Sequence, residues 1–226
     1  MIFYRPTEGD VEDKPIVLTP RTCFLMTKLG KPISEDILKI RKSITSVLSK
    51  YEFGCIDANS LMTGKDFLLK IWRLAMGVPL GVAIIDSSMK SQTMANIFYE
   101  VGWMQSQGKE TLIIKTIDAK IPSDFVRTEY INFDTDFINR FNAFLTSIDE
   151  AAVYYGFLGD QLENNPLLSI DYYRRAFLIT GSEEYQSKAK EVFERSDFKG
   201  RAKNSVESLH CGFATGNQII KKICSN

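Results

Sequence analysis

The sequence predicts an α/β protein: a flavodoxin-like three-layer sandwich with a mostly parallel five-stranded sheet in the order 2-1-3-4-5, followed by a C-terminal helical appendage. Three observations lead there. Between Thr22 and Asp134 short apolar runs alternate with segments of helical periodicity. The run Val78-Pro79-Leu80-Gly81-Val82-Ala83-Ile84-Ile85-Asp86 is apolar on consecutive residues, as a central strand covered on both faces must be. After Asp134 the strand signal stops, and Phe137, Phe141, Phe144, Leu145 and Ile148 form a helix stripe.

Residues 1–21 are polar and broken by Pro6, Pro15 and Pro20, which predicts an irregular lead-in with a short strand at Ile16-Val17-Leu18. Thr22 to Thr27 is the first buried strand, closed by the turn Gly30-Lys31-Pro32. Ser34 then caps a helix whose first turn is acidic (Glu35, Asp36) and whose Ile37, Ile40, Ile44, Val47 and Leu48 share one face. Phe53 to Asp57 is the second strand. A helix from about Lys65 to Met76 sets Phe67, Ile71, Leu74 and Ala75 on one side. The third strand ends at Asp86, and a helix over about 93–106 stops at Gly108. Thr111 to Lys115 and Glu129 to Phe133 are the last two strands, with a helical turn at Pro122-Ser123-Asp124-Phe125 between them. Further helices are expected over about 151–163, 166–180, 183–197 and 204–223, divided by Asn165-Pro166 and Gly181-Ser182. The domains read as a lead-in (1–21), an α/β domain (22–148) and a helical region (149–226).

Composition removes several classes of function. The 28 Lys and Arg balance 28 Asp and Glu, which argues against broad electrostatic capture of nucleic acid or an anionic membrane. The basic residues Lys188, Lys190, Arg195, Lys199, Arg201 and Lys203 are interleaved with Glu191, Glu194 and Asp197, the pattern of a solvated face. No apolar run approaches the roughly 20 residues of a membrane span. The single histidine, His210, excludes a multi-histidine zinc site within one chain. Cys23, Cys55, Cys211 and Cys224 show no C-x-x-C spacing and no export signal precedes them, so reduced thiols, a cytoplasmic setting and no metal are expected. There is no Gly-rich dinucleotide fingerprint and no P-loop, so hydride and phosphoryl transfer have no support and no cofactor is expected.

In a sheet of this order ligands bind outside the carboxyl ends of the strands, where the order reverses. That puts Thr27, Lys28 and Leu29, with Asp86, Ser87 and Ser88, at the mouth of a pocket. On the helix that follows, Ile97, Val101 and Met104 face the core, while Asn96, Glu100 and Trp103 lie along a neighbouring stripe. Glu100 therefore sits at the border of the buried face, about two turns in, where its carboxylate reaches a ligand or serves as a solvated glutamate.

The string Asn96-Ile97-Phe98-Tyr99-Glu100-Val101-Gly102 resembles the nucleoside 2-deoxyribosyltransferase-like and TIR-like proteins. So do Gly108-Lys109 leading into Leu112-Ile113-Ile114, Ile121-Pro122-Ser123-Asp124-Phe125, and Tyr130-Ile131-Asn132-Phe133. Upstream, Phe24-Leu25-Met26, Asp57-Ala58, Gly64 and Gly81 to Asp86 fit as well, so the resemblance spans about residues 22–134. It implies cleavage of an N-glycosidic bond. In those proteins a glutamate at the place of Glu100 acts on the sugar while the base leaves, and an anionic carboxylate stabilises an oxocarbenium-like transition state. Asp86 is then the candidate second carboxylate, binding a sugar hydroxyl or assisting the leaving base, and otherwise a helix-capping aspartate. Asp57 is a candidate for a ribose or base edge, and Trp103, with Tyr99 and Trp72, for stacking on a base, although aromatics on such helices are more often core.

Two stretches depart from the transferases. Thr27-Lys28-Leu29-Gly30-Lys31 stands where they carry a Gly-Pro-Phe-like turn, and Ser91 to Asn96 where they carry Asp-x-Gly-Thr. Lys28 suits a phosphate, so the expected substrate is NAD or a related nucleotide, not a bare nucleoside. TIR-like modules of this size are often effectors of bacterial antiviral defence that act as assemblies, which implies a homo-oligomer or a protein partner held through the helical tail. The alternative is a module that binds a nucleotide without cleaving it, as a sensor or adaptor.

Overall fold

A computed structural model describes residues 5, 9–10, 12, 15–30, 32–58, 67–122, 125, 129–196 and 212–213. The elements are β1 (Thr22–Met26), α1 (Glu35–Lys50), β2 (Gly54–Asp57), α2 (Phe67–Gly77), β3 (Leu80–Ile85), α3 (Ser91–Ser106), β4 (Glu110–Lys115), β5 (Tyr130–Asn132), α4 (Phe137–Gln161), α5 (Pro166–Thr180) and α6 (Glu183–Arg195). The five strands are parallel and ordered β2-β1-β3-β4-β5, the arrangement the sequence predicts. The chain divides into two compact units. The sheet unit comprises Thr22–Ala75 and Leu80–Ser147, and the helical unit comprises Met1–Arg21, Met76–Pro79 and Ile148–Asn226.

In the sheet unit the central strands β1 and β3 are buried at every position, which is why, Thr22 apart, their residues are apolar without alternation. Register pairs such as Leu25 with Val82 and Ile84 with Ile114 run through this core. Right-handed crossovers, the rule for parallel strands, put α1 on one face, with α2 and α3 on the other. The Tyr51 hydroxyl, just past α1, donates to the Asn142 carbonyl at 3.3 Å, which brings the first part of α4 beside the end of α1. Gly81 lets α3 approach β3: a Cβ there would lie 2.3 Å from the Met104 sulfur. Trp72 is buried in α2, so it is a core residue and unavailable for stacking on a ligand.

The helical unit packs aromatic rings against glycines. A Cβ at Gly159 of α4 would fall 2.5 Å from the Tyr173 ring of α5, and one at Gly156 would fall 2.7 Å from the Tyr185 ring of α6. Asn165 caps α5 with Pro166 in its first turn, Gly181 ends it in the left-handed conformation (φ 70°), and Ser182 caps α6. Asp171 is buried and takes hydrogen bonds from Arg174 (2.7 and 3.2 Å) and Arg175 (3.1 Å).

Three expectations change. Ile16 to Leu18 is not a strand: Ile16 and Leu18 are buried around an exposed Val17, but Thr19 donates its N–H to the Gly77 carbonyl at the end of α2. A one-sided burial pattern is thus produced without a strand neighbour. The expected break near residues 149–150 is absent, and α4 is one 25-residue helix. There Asp149 binds the Arg21 guanidinium at 2.8 Å. Helix α3 begins at Ser91, two residues earlier than the periodicity indicates. The helix expected over 204–223 lies outside the described residues except at 212–213, as do His210, Cys211 and Cys224.

Candidate active site

The ends of β1 and β3 gather four of the polar residues at the switch point. Thr27 follows β1 and is 5% exposed. Its hydroxyl is buried and has no hydrogen-bond partner among the described residues. A buried hydroxyl left unpaired costs about 1–3 kcal/mol, so such a group is either a strain or a waiting contact. Lys28, next in the chain, donates from Nζ to the Pro32 carbonyl at 2.7 Å across the loop that leads to α1.

Asp86 follows β3 and is 3% exposed. One carboxylate oxygen accepts from the Ser34 hydroxyl and the other from the Ser88 N–H. Burial pushes this carboxyl up, but the Ser34 and Ser88 hydrogen bonds and the Lys28 charge outweigh it and hold the group below its ordinary range. Asp86 is therefore ionised at neutral pH. It does not cap α3, whose N-cap is Lys90 without a side-chain bond. Instead it anchors Ser34, which caps α1 by accepting from the Ile37 N–H at 3.3 Å. The part of Ser34 at this site was missed from the sequence, where the residue signals only a helix cap.

Asp57, at the tip of edge strand β2, is ion-paired with Arg41 of α1. Its side chain is 12% exposed and its charge is already matched. Arg41 carries no sequence signal for this role, because the pairing depends on α1 folding back over β2.

Glu100 belongs to a second group, along α3. The helix turns Ile97, Phe98, Val101 and Met104 inward, with Phe98 against Phe125 at 4.6 Å between ring centroids. Glu100 is half-buried on the flank of that face. Its carboxyl makes no hydrogen bond or ion pair among the described residues. Burial, with nothing to offset it, pushes the group from an ordinary 4.5 up to about 7. Asn96, one turn earlier, is exposed. Trp103, one turn later, is half-buried and rests against Tyr99 at 4.3 Å between centroids, with Tyr99 52% exposed.

Thr27, Lys28, Ser34 and Asp86 are thus brought together at the strand tips, and Asn96, Glu100 and Trp103 along α3. Glu100 lies about 13.5 Å along the axis from Ser91, some two and a half turns. No hydrogen bond joins it to Asp86. No cluster of three or more His, Cys, Asp or Glu able to hold a metal occurs among the described residues, and none of their helices is long and apolar enough to cross a membrane. No protein-family model matches the chain, and no curated protein matches it.

Proposed function

We propose that the chain is an N-glycosidase that cleaves the base–ribose bond of NAD or a related nucleotide, with Glu100 as the carboxylate that faces the sugar. The observation that carries this is the half-buried carboxyl on α3, without a partner among the described residues and raised towards neutrality by burial. A carboxylate kept without partners is costly to the fold and useful to a developing positive charge. In the reaction the bond between C1′ and the base nitrogen breaks and its electron pair leaves with the base. Ionised Glu100 stabilises the oxocarbenium-like centre, and water supplies the oxygen that ends on C1′, giving up a proton.

Thr27 offers a ligand at the strand tips a hydroxyl that has no partner among the described residues. Lys28 reaches a phosphate by releasing the Pro32 carbonyl. Asp86 acts by fixing Ser34 and the start of α1, since both of its oxygens are engaged. A cytoplasmic setting, assembly through the helical unit and an effector role in antiviral defence belong to the same reading, by resemblance.

The test is incubation of the full chain with NAD and a panel of nucleotides, with chromatography of free base. Base release by the wild type and its loss in Glu100→Gln support the assignment; equal release by both refutes it. One observation favours a second reading, a nucleotide sensor without turnover: Asp86 is not free to assist a leaving base. Calorimetric binding of a nucleotide that stays intact supports that reading.

A further inference from the structure

We propose that Cys23 and Cys55 form a reversible disulfide between β1 and β2 when the protein meets a hydroperoxide. The two residues are register partners on adjacent parallel strands. Partners in a parallel ladder send their side chains to the same face, and strands about 4.8 Å apart put the two Cα atoms inside the span a disulfide bridges, roughly 4.4–6.8 Å. Both are free thiols. They differ in access. Cys23 is 0% exposed in the central strand, whereas Cys55 is half-buried on the edge strand.

That difference assigns the order of events. Cys55 meets the oxidant: its sulfur takes the distal oxygen of the hydroperoxide, the O–O bond breaks, and an alcohol leaves (water, for hydrogen peroxide). The Cys55 sulfenic acid is then attacked from inside by the Cys23 sulfur, which gives up its proton. The S–O bond breaks and water leaves. Two thiols and one hydroperoxide thus give one disulfide, one alcohol and one water.

The surroundings of Cys55 set the threshold. Burial pushes its thiol up, and the Asp57 charge adds to this, against the Arg41 charge and the Thr45 hydrogen bond that pull it down. Cys23 is raised well above its ordinary value, by burial first and then by Cys55. Thiolate is scarce at neutral pH, so the pair stays reduced until oxidant is abundant and closes faster as pH rises. The crosslink would tie the edge strand carrying Asp57, and through it Arg41 of α1, to the centre of the sheet. This proposal is independent of the glycosidase reading.

The test uses the folded full chain, treated with tert-butyl hydroperoxide at pH 7 and 8.5, then alkylated and mapped by mass spectrometry. The expected product links the Cys23 and Cys55 peptides, is two hydrogens lighter than the sum of the separate thiol peptides, forms faster at pH 8.5 and disappears with dithiothreitol. Replacing Cys211 and Cys224 by serine leaves it unchanged. Cys23→Ser accumulates a Cys55 sulfenic acid that dimedone traps. Over-oxidation of Cys55 without a link, links only to Cys211 or Cys224, or both thiols still alkylating after excess oxidant would each overturn the proposal. Mapping of the unmutated chain decides the matter even where Cys23→Ser does not fold.

Discussion

Replacing Glu100 by glutamine removes a charge that the fold holds at a loss. Burial alone raises this carboxyl from an ordinary 4.5 to about 7. Between these values the folded state binds more protons than the unfolded chain, so this residue makes stability fall as pH rises, and the loss is complete above pH 7. The difference corresponds to about 3 kcal/mol against the ionised form. Glutamine has nearly the same shape and no charge. The variant should therefore match the wild type near pH 4.5 and exceed it by up to about 3 kcal/mol at pH 8. For a chain of this length that is a rise of roughly 6–12 °C in melting temperature. Urea melts at pH 4.5, 6, 7 and 8, followed by circular dichroism, read the gap directly. A gap that is flat with pH, or a variant weaker at pH 8, would mean that the carboxylate has a favourable partner and would sink the reasoning. A gap that opens between pH 4.5 and 7 identifies stability given up at one side chain, the usual mark of a functional group.

Substitutions at four other positions probe the sheet unit and the helical unit. Asp171→Ala leaves the Arg174 guanidinium, 1% exposed, without its carboxylate, and should cost about 3–5 kcal/mol in a urea melt. Burial opposes the charge on Asp171, but Arg174 and Arg175 outweigh it and hold the group at about 2. Its stabilisation is therefore present above pH 4 and lost as pH falls towards 2, and Asp171→Asn should flatten that limb of an acid titration. Asp86→Ala loses the bonds to Ser34 and Ser88 and should cost about 2–4 kcal/mol, with faster amide exchange in the first turn of α1. Gly81→Ala drives a methyl into the Met104 and Met26 side chains and should cost about 1–3 kcal/mol. Gly77→Ala meets the Val17 carbonyl at 2.2 Å, which is backbone and yields less, so its melt should show the larger loss.

The sheet was legible because each strand's environment is written locally. An unbroken apolar run marks β3, and helical spacing from Ile37 to Leu48 marks α1. Local residues marked the helix boundaries: Ser34 and Asn165-Pro166 open α1 and α5, and Gly181 closes α5. Ile16 to Leu18 misled because burial on alternate residues has causes other than a ladder. The continuity of α4 was hidden because the partner of Asp149, Arg21, lies 128 residues away. The flank position of Glu100 followed from the period of α3 alone. The engagements of Asp57 and Asp86 did not, since Arg41 and Ser34 reach them from 16 and 52 residues away. Sequence spacing located the carboxylates, and tertiary contacts decided which of them remains without a partner among the described residues.

The role of Glu100 is tested by the initial rate of free-base release from NAD and related nucleotides as a function of pH. At subsaturating substrate the wild type should show a limb rising through about pH 7, as Glu100 ionises. Glu100→Gln should show no release at any pH while keeping its fold. Release by the glutamine variant at the wild-type rate, or a wild-type profile with no limb near neutrality, would exclude Glu100 as the carboxylate that faces the sugar.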